Sequence, residues 1–361
     1  MLINKKKTFL SIGTMSGTSF DGVDAAIIKT DGEQKIEFVD SIFIPYLKKE
    51  KKLYESSVIE NYIKILDFIN NKHIKAIKSL LKKAKLKYEN IDIIGLHGQT
   101  IRHKPEERWS WQEINSKKFV GEFQTNVISD FRLNDILRGG EGAPLVPIYH
   151  ANIVKSLLLE FPIAIINIGG VCNATVVKEN GSFLGYDIGP GNGPIDKITL
   201  SKFKLNYDID GKLSKLGNIN KSIIKKIICE INNLPSKRSY DRTELDDICL
   251  KNVDKIKPTD ALATITRSIA DLIFQKINKH KPKKLILVGG GRKNLTLKSH
   301  LNKLFKKTVI SAEEVGWDGD SLEAQAFAYL AVRCFLGLPI TFPSTTGISK
   351  PSSGGVLHTA Y

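Results

Sequence analysis

Three glycine-rich stretches stand directly after apolar runs: GTMSGTSFDGVD (13–24), NIGGVCN (167–173) and VGGGRKN (288–294). Glycine lets a backbone approach a ligand closely and take positive φ. Successive N–H groups in such turns form concave nests for anions. The first stretch adds the hydroxyls of Thr14, Ser16, Thr18 and Ser19, more donors than a hairpin turn needs. One such loop need be no more than a tight hairpin. Three of them at the ends of apolar strands point to a phosphate-rich ligand, most simply a nucleotide.

Carboxylates supply the second half of the chemistry. Asp187 lies in YDIGPGN, after an apolar run and before a rigid loop. There it can act as a general base, help hold Mg²⁺ through water, or simply accept from the following backbone. Asp21 and Asp24 lie in the first glycine stretch, where either can close the turn. Asp130, Arg132, Asp135 and Arg138 cluster in SDFRLNDILR, which as a helix would present a charged, exposed face. Glu323 falls in the first turn of an Ala-rich helix, where it suits the helix dipole as well as a ligand. His97 and His103 are six apart, a spacing that suits neither helical nor strand pairing at a metal. No direct side-chain ligand for a metal is expected. The chain has no G-x-x-x-x-G-K-[ST], no G-x-G-x-x-G after a strand, no H-E-x-x-H and no G-x-S-x-G.

The elements that must position these residues follow from periodicity. KTFLSIG, DAAIIKT and KIEFVDSIFIPY read as three successive strands. Apolar residues three or four apart predict a helix from about Ile59 to Lys85. IDIIGLHGQT and TNVISDFR read as strands ending in polar residues, which is where open α/β sheets bind ligands. The pattern then restarts. PIAIINIGGVCNATVV reads as strand, glycine turn, strand, and GSFLGYDIGPGNGP as a third strand. PTDALATITRSIADLIFQKI reads as a helix with Thr259 as N-cap and Leu262, Ile265, Ile269, Leu272 and Ile273 on one face. KKLILVGGG is a strand, DGDSLEAQAFAYLAVRCFLG a helix with faces small enough for close packing, and the tail reads as loop. The chain is therefore expected to be α/β, a weak internal repeat of two similar domains sharing a cleft.

The balance of 54 Lys and Arg against 38 Asp and Glu, net +16, raises the question of nucleic acid. The charge is nearly all Lys in short scattered clusters, so a solvated surface is the simpler reading. No nucleic-acid partner is expected. No apolar run reaches the ~18 residues of a membrane span, and no membrane association or signal peptide is expected. The four cysteines, Cys172, Cys229, Cys249 and Cys334, lack C-x-x-C spacing. A reduced, cytoplasmic setting and a core role for each are expected.

In combination and order, GTMSGTSFDGVD, GLHGQTIRH, SDFR…GGEGAPLVP, INIGG…N, DIGPGN, KRSYDR, VGGGRKN and PSTTGISKPSSGG resemble the anhydro-N-acetylmuramic acid kinase family, essentially end to end. The resemblance implies two ribonuclease H-like domains of the actin and sugar-kinase superfamily, a duplicated βββαβαβα pattern closing around ATP. The expected domains are 1–130 with about 338–361, and 131–337. It also implies a reaction: ATP, water and 1,6-anhydro-N-acetylmuramic acid give N-acetylmuramic acid 6-phosphate and ADP, with Mg²⁺. By the same resemblance Asp187 is the base, and Gly17, Thr18, Ser19, Phe20, Asp21, Gly22, Val23 and Asp24 form the nucleotide-phosphate loop. Gly169 and Gly170 match a second phosphate loop, and Gly289, Gly290 and Gly291 the loop near the nucleoside. His97, Arg132 and Glu323 fall on the sugar side, with Arg132 suited to the lactyl carboxylate. Relatives suggest a homodimer. Two departures stand out: Glu141 replaces a common Gln, and the segment from Trp109 to Phe123 matches poorly. The alternatives are a kinase of the same superfamily acting on another amino sugar, and a non-catalytic ATP-gated binding module.

Overall fold

Residues 9–45 form an antiparallel meander of β1 (Phe9–Ser16) and β2 (Gly22–Thr30), apolar runs buried nearly throughout, and β3 (Ile36–Pro45), which is partly exposed along its length. The computed structural model describes residues 8–17, 20–47, 50, 59–235 and 239–360, and of residues 59–61 the backbone only. Helix α1 (Ile59–Lys83) buries Ile65, Ile69, Ile77 and Leu80, the expected helical stripe. β4 (Ile93–Lys104) returns parallel to β1. The poorly matching segment is ordered: β5 (Trp109–Glu113) pairs antiparallel with β4, and α2 (Ser116–Phe123) follows. No strand was expected there; Trp109 and Trp111 alternate with Ser110 and Gln112 but remain partly exposed. β6 (Asn126–Ser129) lies parallel to β4, and two short helices, α3 (Leu133–Leu137) and α4 (Pro147–Ile153), follow.

The second meander is β7 (Ile163–Ile168), β8 (Val171–Val177) and β9 (Phe183–Pro190). Helices α5 (Gly193–Ile198), α6 (Lys212–Leu216), α7 (Lys221–Asn232), α8 (Arg242–Val253) and α9 (Pro258–Ile277) come next. α9 buries Leu262, Ile265, Ile269, Leu272 and Ile273 completely. Each such side chain contributes about 1.5–3 kcal/mol of burial. Its N-cap is Lys257 rather than Thr259, because Pro258 occupies the first helical position, where its missing N–H costs nothing. β10 (Lys284–Val288), α10 (Leu295–Leu304) and β11 (Val309–Ser311) close the second sheet, with β10 parallel to β7.

The chain then returns to the first unit. α11 (Leu322–Phe335) packs on β1, β2 and β4, and the tail, expected to be loop, adds β12 (Val356–His358) to β6. A Cβ on Gly13 would overlap the carbonyl of Ala324 and the amide of Ala328, and one on Gly95 the carbonyl of Phe327. Glycine in the strands and alanine in the helix thus allow the two backbones to approach. The two units are residues 1–156 with 321–361, and 157–320. The seams expected at 130 and 338 therefore shift. Tyr149 of α4 donates to Gln325 at 2.7 Å and Asn152 donates to Tyr329 at 2.7 Å, tying α4 to α11 and both to the first sheet.

The expected duplication is present in the strand orders. The first sheet runs β12-β6-β4-β1-β2-β3 with β5 on β4; the second runs β11-β10-β7-β8-β9. In each, a three-stranded meander is extended by two further strands parallel to its first. Cys172 and Cys249 are buried as expected and Cys334 is half-buried, but Cys229 is exposed on α7. Among the described residues no helix is long and apolar enough to cross a membrane.

Candidate functional site

In the first unit the polar strand ends collect on one sheet edge, the carboxyl ends of β1, β4 and β6. Much of GTMSGTSFDGVD is strand rather than loop. Gly13 serves the contact with α11, and the Thr14 and Ser16 hydroxyls expected as ligand donors point inward. Thr14 Oγ1 lies 2.9 Å from His73 Nδ1, and Ser16 donates to Gln99 Oε1 and stands 2.9 Å from the Tyr46 hydroxyl. Val23 is a core side chain with no exposure, so only its backbone faces the turn. Phe20 has φ 53° and is buried against Tyr46, ring centres 4.4 Å apart. Its N–H donates to the Gly17 carbonyl at 3.1 Å, and Gln99 Nε2 donates to the same carbonyl at 2.9 Å. The Asp21 carbonyl accepts from Tyr46 N–H at 2.8 Å, while the Asp21 side chain is exposed and Asp24 half-buried. Gly22 lies so close to the Ile44 carbonyl that a Cβ would overlap it. The turn is thus pinned from beneath by Gln99 and Tyr46. Thr18 and Ser19 lie outside the described residues.

His97 and Arg132 are brought together. A register shift between β1 and β4, where Gly98 has φ +78°, turns His97 and Gln99 to opposite faces of the sheet. His97 is buried and packs tilted against Phe327 of α11, ring centres 4.5 Å apart. Its Nδ1–H donates to the Gly98 carbonyl at 2.9 Å. Its Nε2 accepts from Arg132 Nε at 3.2 Å and Nη2 at 2.9 Å. Burial, with the Arg132 charge beside it, holds the His97 pKa well below the usual imidazole range. Arg132 Nη1 also donates to the Gly142 carbonyl at 2.7 Å. Glu323, half-buried, stands one helical turn before Phe327 on the same face of α11.

SDFRLNDILR does not form the exposed charged face expected. Asp130 is in the left-handed region at φ 53°, and only Leu133–Leu137 is helical. Asp135 is buried and accepts from Gly142 N–H and the Thr346 hydroxyl, both at 2.7 Å. A Cβ on Gly140 would overlap the Asp135 carboxylate. GGEGAPL therefore wraps around Asp135, and Glu141 N–H bonds the Thr346 carbonyl at 2.8 Å. Thr346 and Gln99 are positioning residues that the sequence did not single out, and Asp135, read there as part of an exposed charged face, is a third. Their segments were singled out, but burial of the side chains was not readable.

In the second unit, Gly169–Gly170, the loop after Asp187 and Gly289–Gly291 meet at the carboxyl ends of β7, β9 and β10. The Gly169 carbonyl accepts from Asn192 N–H at 2.7 Å, and that of Gly170 from Gly191 at 3.1 Å and Gly193 at 3.3 Å. A Cβ on Gly191 would overlap the Gly169 carbonyl. Gly289 has φ +71° and lies against Asn167, and Gly291 lies against Ile168. Gly290 has only Asn192 Nδ2 nearby, 3.5 Å from where its Cβ would stand. Asn192 Nδ2 donates to the Ile168 carbonyl at 3.1 Å, joining the turns. Asp187 is half-buried, and its Oδ2 accepts from Tyr240 N–H at 2.9 Å. Arg292, nearly buried, clamps the last turn: Nη1 donates to the Gly289 carbonyl at 2.9 Å and to Asp320 at 2.8 Å, and Nε to Glu313 at 2.8 Å. Asn192, Tyr240 and Arg292 were not expected to organise the site. All three sit in quoted motifs, DIGPGN, KRSYDR and VGGGRKN, but their partners Ile168, Asp187, Glu313 and Asp320 lie 21 to 53 residues away.

A protein-family comparison matches residues 9–360 to the family described as anhydro-N-acetylmuramic acid kinase. The anhydro-N-acetylmuramic acid kinase of Bradyrhizobium diazoefficiens is 35% identical over 363 residues, covering 96% of this chain and 98% of its own. That of Pelagibacter ubique is 36% identical over 386 residues, covering 99% and 100%. Among solved structures, the activator of the 2-hydroxyisocaproyl-CoA dehydratase from Clostridium difficile covers 90% of this chain and 94% of its own at TM-score 0.47 and 16% identity.

Proposed function

This chain belongs to the anhydro-N-acetylmuramic acid kinase family, and from that premise we propose a reaction and assign its parts. ATP, water and 1,6-anhydro-N-acetylmuramic acid give N-acetylmuramic acid 6-phosphate and ADP, a step of peptidoglycan recycling. The match to the family over nearly the whole chain carries this reading. The convergence of Asp187 with two glycine turns at one sheet edge supports it.

Asp187 takes a proton from water as the water oxygen bonds to C1. The C1–O6 bond breaks, and its electron pair goes to O6. O6 takes the γ-phosphoryl group, and the bond from phosphorus to the β,γ-bridging oxygen breaks with its pair leaving on ADP. Glycoside hydrolysis ordinarily needs an acid at the leaving oxygen. Here the phosphoryl group replaces that proton, so one carboxylate base suffices. Tyr240 N–H, bonded to Oδ2, fixes the orientation of Asp187.

The residues 17–24, 169–170 and 289–291 take the nucleotide in this reading, with backbone N–H groups at the phosphates. His97, Arg132 and Glu323 take the sugar. His97 is neutral and presents its lone pair to Arg132, which sets the plane of the guanidinium for a carboxylate. Among the described residues no three His, Cys, Asp or Glu side chains converge on a metal position. Asp187 would help hold a Mg²⁺ ion through water beside the nucleotide phosphates. Mg²⁺ would supply charge neutralisation at the phosphates. The strand orders support two ribonuclease H-like domains, and the family resemblance supports a cytoplasmic homodimer. Coupled ADP release with and without the anhydro sugar tests the reading. Solvent ¹⁸O should appear at C1. Equal release on N-acetylglucosamine would move the assignment to another amino sugar.

A further inference from the structure

KRSYDR contributes more than Tyr240. We propose that Arg242 is the cation that meets the terminal phosphate of the nucleotide at the Gly169–Gly170 turn, held there by Asp246. The proposal rests on the reading that this turn takes nucleotide phosphate.

Gly170 carries no side chain because Arg242 lies on it. A Cβ at residue 170 would stand 2.8 Å from Arg242 Nε, 3.0 Å from Cζ and 3.1 Å from Cδ. The guanidinium therefore rests on the backbone of the turn itself. Beside it, the Cβ direction of Gly169 is open, with the Val171 carbonyl nearest at 3.6 Å. The Gly170 carbonyl, which would repel a phosphate, is taken by Gly191 and Gly193 N–H groups.

The anchor is unusual. Asp246 stands one helical turn after Arg242 on α8, with a side chain 1% exposed. Its Oδ2 forms a close ion pair with Lys197 Nζ at 3.0 Å and lies 3.7 Å from Arg242 Nε. Gly193 makes room for this carboxylate, since a Cβ there would overlap Oδ1. At 3.7 Å the pairing is too long for a hydrogen bond. Asp246 therefore fixes the charge of Arg242 without occupying its donors, and the Arg242 side chain keeps 24% exposure. Lys197 is the close partner that offsets the burial of Asp246, so the looser contact with Arg242 leaves that guanidinium its donors for a ligand.

One short segment thus does three things. Tyr240 N–H orients Asp187, Arg242 covers Gly170, and Asp246 roots Arg242. A planar fork of donors matches phosphate oxygens, and it adds no bond-making step to the reaction. It stabilises charge on the group in transfer.

The test uses the full chain and three variants, Arg242→Ala, Arg242→Lys and Asp246→Asn. Steady-state ADP release with the anhydro sugar is measured beside calorimetric affinity for ADP and for a non-hydrolysable ATP analogue with Mg²⁺. Arg242→Ala should lower kcat about 100-fold or more with an unchanged KM for the sugar. It should weaken the ATP analogue more than ADP, and added guanidinium should restore part of kcat. Arg242→Lys should recover only a fraction, because it lacks the fork. Asp246→Asn should lower kcat without a response to guanidinium. A wild-type kcat in Arg242→Ala, or equal weakening of ADP and the analogue, overturns the proposal. If the wild type releases no ADP with the anhydro sugar, the reading of the reaction fails, while the comparison of ADP with the analogue still decides Arg242.

Discussion

Arg132 donates two hydrogen bonds to one atom, Nε2 of His97, at 3.2 and 2.9 Å. An arginine cannot accept, so the imidazole carries its proton on Nδ1, where it bonds the Gly98 carbonyl. The two side chains act as one unit for the sugar. Arg132→Ala and His97→Ala should each raise KM for the anhydro sugar about 10-fold or more. The double variant should be little worse than the worse single variant, a coupling of about 1–3 kcal/mol. Additive effects in that double-mutant cycle would show that His97 does not set the guanidinium.

The first unit should be sensitive to mild acid. Burial lowers His73 and His150 from 6.5 to about 3, and His97 falls well below 6.5 as well. Each of these histidines takes up its proton only on unfolding between those limits. The unfolded state then binds more protons, so stability rises with pH through the window. It is fully present above 6.5 and is lost as pH falls toward 3. Well inside the window each histidine removes about 1.4 kcal/mol per pH unit. Urea midpoints compared at about pH 7.5 and about pH 5 read this loss, to which His280, His300 and His358, also lowered by burial, add. Equal midpoints would mean that these imidazoles are not buried neutral.

Strands were legible as short apolar runs between turn residues, and long helices because their burial has a period. The two meanders, the helix beginning at Ile59 and the stripe from Leu262 to Ile273 all follow from apolar spacing. What escaped depended on contacts remote in sequence. β12 is recognisable only by its partner β6, 227 residues from Val356 to Ser129. Asp135 looks like a surface charge until Thr346 and Gly142 surround it. Gly13 looks like a ligand-loop glycine, yet its space is filled by α11. Candidate residues were readable as types within motifs; their division between ligand contacts and internal bracing was not.

That distinction can be tested on glycines alone. Gly13→Ala or Gly95→Ala forces a methyl into the backbone of α11, and overpacking of this kind should cost about 3 kcal/mol. Gly121→Ala, in α2 with nothing within 4 Å of its Cβ position, should gain up to about 1 kcal/mol from helix propensity. Thermal melts of the three variants read both signs. A Gly13→Ala protein as stable as the wild type would put α11 elsewhere.

Asp187→Asn is the sharpest probe of the chemistry. The substitution keeps the shape and an oxygen to accept from Tyr240 N–H, so the turn should remain intact. It removes the only group to which the reaction assigns the proton of water. Loss of general-base catalysis lowers rate by about 10²–10⁴-fold, and the loss should appear in kcat, with ADP affinity unchanged by calorimetry. Because phosphoryl transfer waits on opening of the bridge, ADP release and C1 hydration should fall together. ADP release that continued while ¹⁸O incorporation at C1 ceased would uncouple the two halves. It would show that Asp187 serves only the water, and that ATP is hydrolysed without the sugar.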